Sequence, residues 1–224
     1  MMPFPGGIEA TPNGTLIFSV VAAVVYGFAI SQPPSLLRSA AKTLAVALLA
    51  ALAFLLGGPL LLVAALVLSA LGDAFLSRDG EVAFLGGLGS FLAAHLAYVV
   101  LFVAMGSGLA ALGAASWRVV AALVMAVFAA GMLRLLWPRI GSDLKAPVAV
   151  YVAAIFAMGV TALTTGNALV IAGAVMFMAS DALLATEKFL ADTVEGHRVW
   201  MRYAVWVLYY VAQMAIAMGF LRPV

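Results

Sequence analysis

The sequence predicts an all-α fold, a polytopic membrane bundle of eight transmembrane helices, and three observations lead there. Mean hydropathy is +1.20. Only 9% of the 224 residues are charged, whereas a soluble domain carries roughly a quarter because its surface must face water. Gly/Pro breaks and charge clusters cut the chain into eight apolar pieces, each close to the ~20 residues that cross a bilayer. Backbone groups in lipid must be satisfied within the segment, so such pieces are helices. Residues 1–224 read as a single transmembrane domain with almost no extramembrane part.

The predicted spans are 14–30, 35–56, 59–76, 83–105, 117–137, 147–164, 168–190 and 200–221. The residues ahead of the first span include Glu9 but no Lys or Arg, so they lack the positive start of a secretory signal. Gly14 to Ile30 is therefore expected to be a retained helix. Gly57, Gly58 and Pro59 interrupt an apolar run from Thr43 to Leu71 that is too long for one helix and suits a tight hairpin. Gly166 and Asn167 divide helices six and seven in the same way.

Composition also removes several function classes. With no Cys there is no disulfide, thiolate nucleophile or cysteine-ligated metal. The chain holds two His, and with His197 in a loop a His-based metal site is not expected. No phosphate loop, nucleophile elbow or dinucleotide fingerprint appears, so no cofactor or metal is implied. The net charge of +2 comes from eleven Lys and Arg scattered over short loops, which argues against nucleic acid as a partner. Asp79, Glu81, Asp143, Asp192, Glu195 and His197 are expected in solvated loops, and the eleven Met residues read as apolar packing.

Positive residues are retained on the cytoplasmic side of a membrane. The odd-numbered loops and adjoining helix ends hold Arg38, Lys42, Arg78, Arg134, Arg139, Lys145, Lys188, Arg198 and Arg202, against only Arg118 and Arg222 opposite. The expected topology is a multi-pass protein of the cell membrane with both termini on the non-cytoplasmic side. A short internal echo accompanies it: Gly72-Asp73-Ala74-Phe75-Leu76 closes helix three, and Ser180-Asp181-Ala182-Leu183-Leu184 lies late in helix seven. Lys42 opening helix two and Lys145 before helix six extend the match, which describes a parallel 4+4 repeat.

Ionisable residues inside a span pair with one another, line a cavity or act. Those singled out are Lys42, Asp73, His95, Asp181, Glu187 and Lys188. With the topology above, Asp73 lies near the cytoplasmic end of helix three, and Asp181 lies ~14 Å before the cytoplasmic end of helix seven. Lys42 enters helix two from that side, so the candidate site falls in the cytoplasmic half. On helix four, Phe84, Gly87, Phe91, His95 and Tyr98 recur at three- and four-residue steps and share one face. That stripe also reads as plain helix packing, Lys42 as an ion-pair partner of an Asp, and Glu187 with Lys188 as an interfacial charge pair. Asp73 and Asp181 are the hardest to explain blandly, because a carboxyl at an apolar position needs a compensating reason.

These residues resemble the lysoplasmalogenase (YhhN-like) family of eight-span membrane proteins. The resemblance rests on Lys42-Thr43-Leu44, Gly72-Asp73-Ala74-Phe75-Leu76, the helix-four stripe, Gly173-Ala174, Phe177-Met178-Ala179-Ser180-Asp181, Leu184-Ala185, Lys188-Phe189 and Tyr209-Tyr210-Val211-Ala212-Gln213. It runs from helix two to helix eight; Thr43 departs from it, standing where the family often has Pro. The resemblance implies hydrolysis of the vinyl ether bond of a lysophospholipid, releasing a fatty aldehyde and glycerophosphoethanolamine or glycerophosphocholine. Its chemistry asks for a neutral carboxylic acid beside a carboxylate, as in glycosidases. Asp73 and Asp181 are the expected pair, with His95 as a third catalytic group and either His95 or Tyr98 orienting water. Lys42, Tyr98, Ser180, Lys188, Tyr210 and Gln213 are the expected substrate-binding residues, Lys42 against the lipid phosphate. Membrane lipids are the other expected partners. A proton-coupled transporter and a noncatalytic lipid-binding bundle remain open on the residues alone. The transporter would be favoured by paired mid-membrane helix breaks, which the sequence does not show.

Overall fold

The computed structural model describes residues 2–190 and 198–221. Asp192, Glu195, His197 and Arg222 lie outside the described residues. Eight α-helices follow one another: α1 Thr11–Ala29, α2 Leu36–Leu55, α3 Leu60–Leu76, α4 Glu81–Met105, α5 Ser116–Leu136, α6 Ser142–Ala162, α7 Ala168–Leu190 and α8 Arg198–Leu221. Two short 3-10 turns, Leu109–Leu112 and Leu163–Thr165, complete them, with no strand among the described residues. Seven helices are long and apolar enough to cross a membrane; α3, of 17 residues, is shorter. Its length of ~26 Å falls a little short of a ~30 Å hydrocarbon core.

The first and sixth helices begin earlier than the sequence predicts. At α1 the reason is Pro12, which fits the first turn of a helix because no N–H is needed there. The fully buried Asn13 then ties the preceding segment down: its amide donates to the carbonyls of Phe4 (2.8 Å) and Gly7 (2.7 Å) and accepts from the Phe4 N–H (3.2 Å). Phe4 packs with Leu52 and Met218 as a result. Helix α6 starts at Ser142 and carries Pro147 inside it, at the cost of one backbone bond near its start. Glu81 and Asp143 therefore sit in the first turns of α4 and α6 instead of loops, where a negative charge complements the exposed N–H groups.

Both predicted breaks are present, and each has its own chemistry. After α2, Gly57 adopts φ +67° and donates to Phe54 O (3.1 Å), while Gly58 donates to Ala53 O (2.8 Å). This paired bonding closes the orphan carbonyls of a helix end and needs a left-handed residue at Gly57. Gly58 is required for space, since a Cβ there would stand 2.7 Å from Leu221 and 3.0 Å from the Ala53 carbonyl. Before α7, Gly166 is left-handed (φ +66°), and Asn167 Oδ1 accepts from the N–H groups of Leu169 (3.0 Å) and Val170 (3.3 Å).

The helices form two compact units. One runs to Tyr98 and resumes at Gln213; the other is Val99–Ala212. The boundaries fall inside α4 and α8 rather than between α4 and α5, which differs from the 4+4 division expected. In the first unit α1 packs on α2 and α2 on α3. Close approach of α3 to α4 depends on missing side chains: a Cβ on Gly72 would stand 2.6 Å from the Phe91 ring, and one on Gly87 would stand 2.5 Å from Leu76. In the second unit α5, α6 and α7 pack on one another around Met125, Ile155, Leu163 and Met178. Much of α5 is left outward, with Val120, Leu123, Val124 and Val127 all exposed, as lipid contact demands.

Gly72→Ala is expected to lower folding stability by ~1–3 kcal/mol, because the buried Phe91 ring must give way. Gly89→Ala, where nothing lies within 4 Å, is the control and should be neutral or mildly stabilising. Thermal unfolding of the detergent-solubilised chain measures both, and equal melting temperatures would contradict the close approach.

Candidate functional site

In the first unit, polar groups gather on α2, α3 and α4 at positions set by helical periodicity. Asp73 is 1% exposed, and its Oδ1 lies 3.1 Å from Lys42 Nζ. Lys42 is 13% exposed, its ammonium 5.8 Å from the centre of the Tyr26 ring. Arg38, one turn earlier on α2, places its guanidinium carbon 5.9 Å from the same ring. Tyr26 of α1 thus has two cations over it, an arrangement that its negative ring face favours.

The helix-four stripe faces inward as predicted. Gly87, Phe91, His95 and Tyr98 are buried and Phe84 is half-buried, while Leu85, Leu96 and Val100 point outward. His95 Nδ1 lies 2.6 Å from the Phe91 carbonyl. A carbonyl only accepts, so Nδ1 carries the proton, and in the neutral ring Nε2 presents a lone pair. That suits a group that orients water or takes its proton, and does not suit a donor. Tyr98 donates to Gln213 Oε1 (2.5 Å), joining α4 to the last part of α8 with both side chains fully buried.

In the second unit, Asp181 on α7 is 9% exposed, and its Oδ2 accepts from the Tyr151 hydroxyl of α6 (2.9 Å). The sequence reading missed Tyr151. The available signal was a lone phenol in an apolar helix, which must find a partner when buried. Ser180 donates to the Val205 carbonyl (3.0 Å), so its hydroxyl links α7 to α8. Tyr210 is buried and stacked on Trp206 at 5.8 Å, and Phe177 meets Tyr209 edge-on at 5.4 Å. Lys188 is exposed at the end of α7. Glu187 pairs with Arg202 of α8 (2.6 Å) instead of Lys188, because adjacent helical side chains diverge. Lys145, expected to mirror Lys42, lies 5.3 Å from the centre of the Trp137 ring. Tyr151 is a donor to Asp181.

Each unit by itself therefore buries one of the predicted carboxyls and binds it to a donor on the preceding helix, Asp73 to Lys42 and Asp181 to Tyr151. Among the described residues no group of three or more His, Asp or Glu gathers as a metal site.

Apolar helices carrying buried, partnered carboxyls define a multi-pass helical membrane protein with a polar interior. Residues 37–220 match the YhhN family, and the chain belongs to it. It is similar to the lysoplasmalogenases of Mycobacterium bovis and Mycobacterium tuberculosis, in each case 36% identical over 163 residues, covering 71% of this chain and 59% of the relative. The chain thus spans less than two thirds of the length of the curated relatives it matches. No solved structure matches it.

Removing one partner of a buried ion pair leaves the other charge uncompensated, at a cost of ~3–5 kcal/mol. Lys42→Met is expected to destabilise by about that amount, and the double variant Lys42→Met/Asp73→Asn should recover most of it. Denaturant unfolding of the single and double variants tests this; strictly additive losses would mean that the pair is not coupled.

Proposed function

We propose that this chain is a membrane-embedded hydrolase of lysoplasmalogens, cleaving the vinyl ether bond to release a fatty aldehyde and glycerophosphoethanolamine or glycerophosphocholine. The observation that carries the reading is a buried carboxyl in each unit, held by a donor from the preceding helix. Membership of the YhhN family and likeness to two lysoplasmalogenases support it. The substrate class follows from those relatives' names.

A vinyl ether is an electron-rich alkene, and its hydrolysis starts when an acid protonates the carbon remote from oxygen. The resulting oxocarbenium ion captures water at the carbon bonded to oxygen, and the water surrenders a proton. The hemiacetal then collapses, its hydroxyl becoming the aldehyde while the ether oxygen leaves as the glycerol hydroxyl. One water is consumed and the acid is regenerated. In this mechanism Asp73 and Asp181 supply the two carboxyl functions, one as acid and one as the carboxylate that stabilises the cation. His95, with its Nε2 lone pair, directs water. Tyr98 and Gln213, and in the other unit Ser180, Tyr210 and Lys188, contribute to holding the lipid.

Turnover in heavy water should place deuterium on the carbon next to the aldehyde. The product must be trapped as it forms and compared with unlabelled aldehyde incubated in parallel, because enolisation also exchanges that position. Asp73→Asn and Asp181→Asn should each slow aldehyde release by about 10²-fold or more. If both variants fold and release aldehyde near the parental rate, the carboxylate mechanism is wrong.

The same reading places both termini on the non-cytoplasmic side and the reaction in the cytoplasmic half, from the distribution of Lys and Arg. Single cysteines introduced at Arg38, Arg78 and Arg139 should then be labelled by a membrane-impermeant reagent only from the cytoplasmic side. Labelling from the opposite side would reverse the topology.

A further inference from the structure

Two cations lie one turn apart on the same face of α2, and among the described residues only one of them has a counter-charge. Like charges at this spacing repel, so the arrangement favours a second anion. Lys42 is matched by Asp73. The Arg38 guanidinium has no ion pair among the described residues, and its Nε is buried with no hydrogen-bond partner. An arginine that merely reaches for water at a helix end would hold its whole head outside. Here the guanidinium carbon stands 5.9 Å from the centre of the Tyr26 ring, the inner N–H is shut away from solvent, and the side chain as a whole stays partly exposed. A buried donor left unmade is costly, and an anion bound at the partly exposed remainder of this head would offset that cost through its charge.

We propose that Arg38 is the phosphate-binding residue of this protein, taking the phosphodiester of a lysolipid headgroup. The inference rests on the hydrolase reading for its choice of ligand. Guanidinium is suited to the task because its planar fork matches two phosphate oxygens, and stacking on an aromatic face leaves its N–H edge open. Depth also fits. Arg38 is near the start of α2, with its backbone N–H capped by Ser35 Oγ (3.2 Å), and the end of a helix long enough to span a bilayer falls near its headgroups. Lys42 and Asp73 follow ~6 Å further along the α2 axis. A lysoplasmalogen carries its phosphate and its vinyl ether at opposite ends of the glycerol backbone, so a phosphate on Arg38 sets the reacting bond at the depth of Asp73. The Lys42 charge, already engaged by Asp73, is thereby left to its ion pair.

The test measures binding to the full chain in detergent, using a saturated 1-O-alkyl lysophosphatidylethanolamine that cannot be hydrolysed and the matching 1-O-alkylglycerol that lacks phosphate. Arg38→Met keeps the apolar stem and should weaken the phosphorylated ligand by about tenfold or more, as loss of a charge-assisted bond requires. Its affinity for the alkylglycerol should stay within about twofold of the parental value. Arg38→Lys, which retains charge but not the fork, should fall between and guards against a folding defect in the first variant. Equal weakening of both ligands, or of neither, would overturn the proposal. So would displacement of the lysolipid by diacyl phosphatidylethanolamine with equal affinity, because the site would then hold bulk bilayer lipid. Absence of aldehyde release from the parental chain would count against the hydrolase reading alone, since the binding measurement needs no turnover.

Discussion

A charge inside an apolar membrane protein must be compensated locally, and the Lys42–Asp73 ion pair is where this chain meets that demand most directly. With Asp73 1% exposed and its partner 3.1 Å away, the pair joins α2 to α3. The surrounding residues follow from it. Tyr26 lends its ring face to the ammonium, and Gly72, beside the carboxylate, lets α4 come close. Such a pair contributes little net stability, because desolvation offsets most of the attraction. Its worth lies in holding a carboxylate at a defined place in an interior where water would otherwise be needed.

The second unit brings a phenol to its carboxyl. Tyr151 donates to Asp181, and a phenol is far cheaper to bury than an ammonium. A carboxyl beside Lys42 and one beside Tyr151 have different electrostatic surroundings. His95 adds a third polarity to the set: its bond to the Phe91 carbonyl commits Nδ1 as donor and leaves Nε2 as acceptor. The polar interior is therefore made of groups whose hydrogen-bonding sense is decided by a neighbour on the backbone or on the adjacent helix.

Small residues do the complementary work. Gly57 supplies a left-handed turn, whereas Gly58, Gly72 and Gly87 supply absence, each standing where a methyl group would meet another chain segment. In lipid the helices gain little from hydrophobic exclusion and are held by close packing and hydrogen bonds, so these vacant Cβ positions carry weight. Asn13 extends the principle to the N-terminal segment, pinning Phe4 onto Leu52 and Met218 through three bonds from one side chain.

Sequence alone determined the all-α membrane class, the order of the eight helices, both Gly-marked breaks, the inward face of α4 and the two carboxyls, Asp73 and Asp181, that stand at apolar positions and are buried. All of these are local properties. Hydropathy, helical period and turn chemistry act within a few residues of one another, so a linear reading captures them. What only the tertiary structure decided was pairing. Lys42 goes to Asp73 and Tyr151, not Lys145, donates to Asp181; Glu187 goes to Arg202, and among the described residues Arg38 has no carboxylate partner. Partners on different helices are chosen by where side chains end in space, and a fraction of a turn in either helix changes the answer. No spacing along one chain contains that information, because helices adjacent in sequence can meet at many rotations while only one of them brings an ammonium within 3.1 Å of a buried carboxylate.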